Sequence, residues 1–431
     1  MQKSPAIRRS ATADNFNKNR FSVGDIKEIR CFDENPRDES WTRHERHFFI
    51  ITDASRPVYC RYGNELNVTP LLCTIVAFTG QLVRDGNQKL QTIVAGNKLF
   101  VFYLPLPFIF VCVSSVKLPV SLLMKELQVL ELIIFSILTP HITQTLQRRP
   151  NFDIKKQTSG SERYFTSALE LMDQSQSFIF HDCISMAAVA HQREQYARVV
   201  KDNFTKNIYA CVAFYQGDLF FYVETKDFHM TPDDILILLN NSFPSSTESI
   251  TSWAPLCLPN REEMFHILTV YAKEDFDFTM LFISDQIEMC PQATKMSESI
   301  IRDFKTLISI NRPDVIEPIE NTDIFHFTIA NHRIGQVYSP IILSQDLSKV
   351  IYRSYTWAYE YLKTSPISGP FYIATDELTL FGHHANDETL IAATHVGCSA
   401  QNAQSLLDEL DKYIQEHKSE IFDFSPLKFE E

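Results

Sequence analysis

Two groups of side chains in this sequence have the types needed for chemistry. Asp53, His181 and either Ser185 or Cys183 make an acid, a base and a nucleophile on paper. A hydrolase serine, however, is lifted out of a tight strand-to-helix corner by a G-x-S-x-G turn, and no such turn occurs. The second group is thiols and imidazoles. Nine cysteines are scattered from Cys31 to Cys398 with no C-x-x-C, and His383-His384 places two imidazoles side by side. Metal clusters need tighter Cys and His spacing. An odd number of cysteines inside apolar runs suits buried thiols in a reducing compartment rather than a disulfide framework. Glycine is scarce, 11 in 431 residues. Phosphate cradles consume glycine because backbone amides must approach the anion, and neither a P-loop nor a G-x-G-x-x-G is present. The expectation is a protein without covalent catalysis, cofactor or metal, acting through surfaces.

Charge narrows what those surfaces meet. A net charge of −13 argues against a general grip on nucleic acid, though it leaves room for a local basic patch facing acidic lipid. The opening "MQKSPAIRRSATADNFNKNR" is basic and acid-poor but has no apolar face, so it reads as a solvated tail, phosphorylatable around Ser10, rather than a transit peptide. Residues 99–116, "LFVFYLPLPFIFVCVSSV", carry no charge over the length of a membrane span. Pro105 and Pro107 interrupt the stretch, and its aromatic and β-branched content fits two strands joined by a proline turn.

The elements that must position any site recur three times. In the first copy "HFFIITDASRPVYCRYGNE" is a hairpin with strands 47–53 and 57–63. A helix over 67–86 follows, then strands near 89–96, 98–104 and 108–115 and a long helix over about 118–148. A polar linker contains Ser159 and Glu162 at capping-box spacing, and a helical segment over 162–200 bridges to the next copy. There Thr231 caps a helix with Pro232 in its first turn, and a closing helix ends near Ile310. The third copy runs from "IFHFTIANHRIGQVYSP" to "NAQSLLDELDKYIQEHKSE". The order β-β-α-β-β-β-α, repeated at domain-sized spacing, is an α+β fold of three longin (roadblock-like) domains, each a five-stranded antiparallel sheet with flanking helices. The boundaries are a flexible tail 1–43, a first longin domain 44–149, a linker helix with a second longin domain 150–310, and a third longin domain 311–431. Such sheets keep an exposed edge where another chain can add.

The helix after the first hairpin is unusual. Between Glu65 and Arg84 it has no charged residue. Val68, Leu71, Leu72, Ile75, Val76, Phe78, Leu82 and Val83 form one broad stripe for the domain's own sheet. The opposite face carries Thr69, Cys73, Thr74, Ala77, Gly80 and Gln81, small and uncharged where a solvated helix normally places Lys and Glu. Either the chain's other domains or another protein covers that face. In the third copy Tyr352, Tyr355, Trp357, Tyr359 and Tyr361 are expected to be core.

"HFFIITDASRPVYCRYGNE", "NFDIKKQTSGSERYFTSALELM" and "SWAPLCLP" resemble signature stretches of the Mon/SAND (monensin-sensitivity) family of vacuolar and endosomal fusion proteins, in that family's order, over roughly residues 44 to 425. The resemblance implies a triple-longin subunit that pairs with a Ccz-like triple-longin partner as a guanine-nucleotide exchange factor for a late-endosomal or vacuolar Rab GTPase. It further implies cytoplasmic residence with peripheral recruitment to phosphoinositide-containing endosomal, vacuolar or lysosomal membranes. A non-catalytic longin scaffold or tether is the alternative. On this reading the Rab and partner platform comprises Tyr59, Arg61, Tyr62, Asn64, Glu65, Thr69, Cys73, Thr74 and Ala77. An upstream early-endosomal Rab would contact Trp253, which the following Ala-Pro places near a sheet edge. The tail is shorter than the acidic N-terminal region usual in the family, and "FDFSPLKFEE" only loosely echoes its ending.

Overall fold

A computed structural model describes residues 34–85, 90–174, 176–180, 183–187, 193–203, 207–215, 217–242, 251–272, 278–287, 323–340, 345–365, 368–385, 387–424 and 428–429, with 291, 294–295 and 298. The tail to residue 33 with its Ser10, His181 and the helix expected to close the second copy near Ile310 lie outside the described residues.

The first unit comprises α1 (Glu39–Arg43), β1 (Arg46–Thr52), β2 (Pro57–Cys60), α2 (Glu65–Asp85), β3 (Thr92–Ala95), β4 (Lys98–Tyr103), β5 (Phe108–Ser114) and α3 (Val120–Leu138). Its antiparallel sheet has the order β2-β1-β5-β4-β3. Every residue of β1 is buried because both faces of the sheet are covered, and alternation sorts the side chains between them. Phe49, Ile51, Ile109, Val111 and Val113 meet Val68, Leu72 and Ile75 of α2. Phe48, Ile50, Phe110 and Cys112 share the other core with Leu123, Leu127, Leu130 and Ile134 of α3. The 99–116 stretch is the pair β4 and β5 across its proline turn, and no described helix is long and apolar enough to cross a membrane.

Three expectations change here. Residues 34–43, read as the end of the tail, pack on this unit: Trp41 is buried and its indole N–H donates to the Tyr62 carbonyl. The helix expected over 118–148 is two helices, α3 and α4 (Ile142–Arg148), parted at Thr139, whose φ is 59°, and at Pro140, which has no N–H to continue the ladder. Ser159 is not a capping partner of Glu162, whose carboxylate accepts instead from the Gly160 N–H.

The linker then forms α5 (Ile154–Gln157), α6 (Glu162–Gln174), β6 (Ile184–Ser185) and α7 (Arg193–Asp202) in place of one helical segment. The second unit has β7 (Ala210–Tyr215), β8 (Asp218–Thr225), α8 (Pro232–Asn241), β9 (Thr251–Cys257), β10 (Met264–Ala272) and β11 (Phe278–Ser284). Thr231 caps α8 as expected, in a full capping box with Asp234. The third unit has β12 (Ile324–Asn331), β13 (Gln336–Tyr338), α9 (Gln345–Thr364), β14 (Gly369–Ala374), β15 (Thr379–Ala385), β16 (Glu388–Thr394) and α10 (Ala400–Ile421), with β17 (Lys428–Phe429) after it.

The three sheets give the longin α+β fold, with one difference in strand count. The second and third sheets have six strands, ordered β17-β8-β7-β11-β10-β9 and β14-β15-β16-β12-β13-β6. Each sixth strand is a short parallel addition from outside its own unit. β17, after the third unit, lies along β8 of the second, and β6, from the linker, lies along β13 of the third. Two-residue strands like these carry too little pattern to be read in sequence.

Candidate functional site

The helix α2 presents an exposed, uncharged and partly apolar face on the first domain. Asn64 begins it, its side-chain oxygen accepting from the Leu66 N–H at 2.9 Å, an ordinary N-cap. The inner face is Val68, Leu72, Ile75 and buried Thr79. The outer face is Leu66, Asn67, Pro70, Leu71, Cys73, Thr74, Ala77, Phe78 and Gln81, all exposed. Leu66 is 77% exposed and Phe78 50%, so the face is not only uncharged but apolar. The stripe read from sequence was too wide. Leu71 and Phe78 lie roughly 80–100° round the helix from the centre of the buried face, at 3.6 residues per turn, and so fall on the outer side. Leu82 and Val83 fall outside the described side chains.

The named platform residues divide into two groups. Cys73, Thr74 and Ala77 lie together on the outer face, Asn64 is exposed at its start and Thr69 is half-buried. Tyr59, Arg61 and Glu65 are buried and partnered within the chain, although the Arg61 Nε has no hydrogen-bond partner among the described residues, so their side chains are turned away from an incoming protein. The Tyr59 hydroxyl shares a hydrogen bond of 3.1 Å with Thr166 of α6, and its ring lies against Phe165. Arg61 donates to Asp173 of α6 at 2.5 Å. Glu65 forms an ion pair with Lys155 of α5. Alternation along a strand would leave one face of β2 for the core. Both faces are core, because α6 covers the second and because a bulge between Ile50 and Ile51 puts Val58 and Tyr59 into the same core. Tyr62 is half-buried, its ring stacked 3.6 Å from that of His44, which pairs with Glu34 at 2.7 Å. Gly63 completes the corner at φ +77°; a Cβ there would come 2.7 Å from the Glu34 carbonyl oxygen.

Beneath the corner lies a buried charge network. Asp173 takes both Arg46 and Arg61, and Arg46 also reaches Glu126 of α3 at 2.5 Å. Glu170, one turn before Asp173, has a buried Oε1 with no hydrogen-bond partner among the described residues. Burial pushes its carboxyl up to about 7, against the pull of Arg61. Burial likewise holds His47, beside Trp41, down at about 3. Sequence reasoning missed α6 as part of this site. The available signal was "ERYFTSALELMDQ", whose Thr166, Ser167 and Glu170 are too polar for a helix lying in the core unless both of its sides meet partners.

The remaining candidates are separate from α2. Trp253 is 45% exposed on β9, the edge strand of the second sheet, with its ring 5.3 Å from that of His266. Of the hydrolase set, His181 lies outside the described residues, and Ser185 and Cys183 have different partners. Ser185 donates to Asp218 at 2.6 Å, Cys183 lies 3.9 Å from His332, and Asp53 is exposed at the first hairpin. His383 faces Asp411 and His384 bonds Thr389, both on β15. Of the aromatic helix α9, Tyr352 and Tyr355 are buried, but Trp357 and Tyr361 are exposed and Trp357 donates to the Lys117 carbonyl of the first unit. Five of the seven described cysteines are buried, and Cys73 is exposed.

Comparison with known proteins bears on the fold. Residues 46–168 match the family described as the first longin domain of FUZ, MON1 and HPS1. The chain is 25% identical to vacuolar fusion protein MON1 homolog A of Macaca fascicularis over 92% of its length, spanning 74% of that protein. It is equally identical to the human homolog A but spans only 63% of it. With vacuolar fusion protein MON1 of Cryptococcus neoformans the identity is 24% over 78% of this chain and 57% of the other. Residues 46–168 are therefore a longin domain. Across most of its length the chain is similar to the proteins named MON1 and SAND, the family that the three quoted stretches resemble.

Proposed function

We propose that this chain works in vesicle traffic leading to vacuole or lysosome fusion, as one subunit of an exchange factor for a late-endosomal or vacuolar Rab GTPase. Its likeness to vacuolar fusion proteins supports the first half of that reading. The observation that carries the second is the open α2 face, from Leu66 through Cys73, Thr74 and Ala77 to Phe78, without a charge along it. Nucleotide exchange needs no acid, base or nucleophile. The factor must bind the nucleotide-free GTPase more tightly than the loaded form, and by linkage nucleotide is then held more weakly by the same ratio, each tenfold being about 1.4 kcal/mol. A surface that disturbs the phosphate and magnesium contacts of a switch region does this by shape and water exclusion. An uncharged face suits it, because no ion is left unpaired when water is displaced.

A Ccz-like longin subunit shares the platform, and an early-endosomal Rab is placed at the β9 edge around Trp253. The protein resides in the cytoplasm and is recruited peripherally to phosphoinositide-containing membrane. The test is release of a fluorescent GDP analogue from the late-endosomal Rab, with this chain alone and co-expressed with the partner. Acceleration that requires the pair supports exchange. A stable pair that binds the Rab without accelerating release would move the assignment to a scaffold or tether.

A further inference from the structure

The α2 face stands on a strap that leads from the first unit to the second. Residues 153–174, comprising α5 and α6, run between the first and second units and hold the β2–α2 corner at three points. Lys155 pairs with Glu65 in the first turn of α2, Thr166 bonds Tyr59 on β2, and Asp173 binds Arg61 just before α2. The three partners span the last residues of β2 and the first of α2, so the strap fixes where the helix begins. Each contact is buried or partly buried, where a lost partner leaves a polar group stranded rather than merely solvated.

The same strap is bolted on its other side to the second unit. Ser167 donates to the Asn240 side chain at 2.6 Å, and Asn240 donates back to the Tyr164 carbonyl at 2.9 Å. Asn240 is buried near the end of α8, and the chain after α8 next forms β9, the edge strand that carries Trp253. Thr166 and Ser167 are adjacent on α6, so one turn of one helix faces the first-unit corner and the second-unit helix together. A separate ion pair, Lys125 of α3 with Asp233 of α8 at 3.7 Å, joins the two units without passing through the strap.

We infer that the 153–174 strap couples the second longin unit to the docking face, with Ser167–Asn240 as its second-unit joint and Thr166–Tyr59 and Asp173–Arg61 as its first-unit joints. Disturbing α8 then loosens the start of α2, and a ligand that steadies the second unit steadies the docking face. Asn240 and Asp173 act here as positioning residues. The inference rests on α2 being the docking face only for its consequence; the mechanical link itself is a property of this chain alone.

The experiment is hydrogen exchange of the α2 backbone amides in the full chain, without GTPase or partner, comparing wild type with Asn240→Ala, Ser167→Ala and Asp233→Asn. Loss of the Asn240 hydrogen bonds is expected to raise α2 exchange roughly two- to tenfold, as hydrogen bonds of ordinary worth allow. Ser167→Ala, the milder variant should Asn240→Ala fail to fold, is expected to act in the same direction. Asp233→Asn, which breaks the bypassing contact, is expected to leave α2 unchanged. Unchanged α2 exchange in a folded Ser167→Ala or Asn240→Ala would overturn the inference, as would an equal effect from Asp233→Asn. Because no GTPase enters the readout, neither result depends on whether α2 binds one.

Discussion

At the scale of single residues, the site is governed by what burial does to charge. Asp173 is shared by Arg46 and Arg61, so two cations and one carboxylate are settled together, and Glu126 completes the balance. Glu170 sits beside this network facing Arg61 from α6, with Asp173 one turn away, and its carboxyl titrates at about 7 because burial disfavours the anion. A carboxyl raised above its unfolded value binds its proton more firmly in the folded state. Its contribution is therefore greatest below the unfolded carboxyl range and is lost as pH rises toward about 7. Glu170→Gln removes that loss. The variant should match wild type in urea unfolding near the acid end and exceed it above neutrality by about 1–2 kcal/mol, a discounted share of the pKa shift. A Glu170→Gln curve parallel to wild type at both pH values would mean that the carboxyl is ordinarily solvated.

At the scale of elements, α2 shows why a sequence can disclose a helix and still misplace its faces. Its uncharged length and the hairpin before it were legible, and so was the small-residue face at Cys73, Thr74 and Ala77; its start was read two residues late, at 67 rather than Glu65. Leu71 and Phe78 were not, because hydrophobic type alone sends them to the core whereas their angle sends them outward. Tyr59, Arg61 and Glu65 were misread for a different reason. Their burial comes from α5 and α6, about a hundred residues later in the chain, and no local pattern near β2 announces a second covering layer. The repeat order was readable because longin strands and helices alternate in period. The sixth strands, of two residues each, were beyond any periodic signal.

The neighbouring pair Leu71 and Leu72 turns this into an expected contrast. Leu72→Ala opens a cavity against Phe49 and Val111 and should lower stability by about 2–5 kcal/mol. Leu71→Ala should change stability by less than about 0.5 kcal/mol, as exposed substitutions do, while weakening capture of the GTPase or the partner subunit. Denaturant midpoints and pull-downs on the two variants check both halves.

At the scale of the whole molecule, the three units are joined through buried contacts. A single core cluster runs from Phe48 through Phe180 and Leu238 to Ile391. Arg193 of α7 is buried and donates to the carbonyls of Ala187, Phe220 and Glu420, tying the linker, the second sheet and the last helix together. Ser121 and Lys117 of the first unit meet Glu360 and Trp357 of the third. Among the described residues the α2 face and the Trp253 edge both stay exposed.

The most direct test of α2 as the docking face is binding of the nucleotide-free late-endosomal Rab to the co-expressed pair, with Ala77→Arg beside wild type and circular dichroism on both. Ala77 is exposed, so the longer cation is accommodated in the free protein. It would be buried in a docked complex without a counter-charge. The account predicts an unchanged dichroism spectrum with binding weakened at least about tenfold, or ~1.4 kcal/mol. Unchanged binding by a normally folded Ala77→Arg would contradict it.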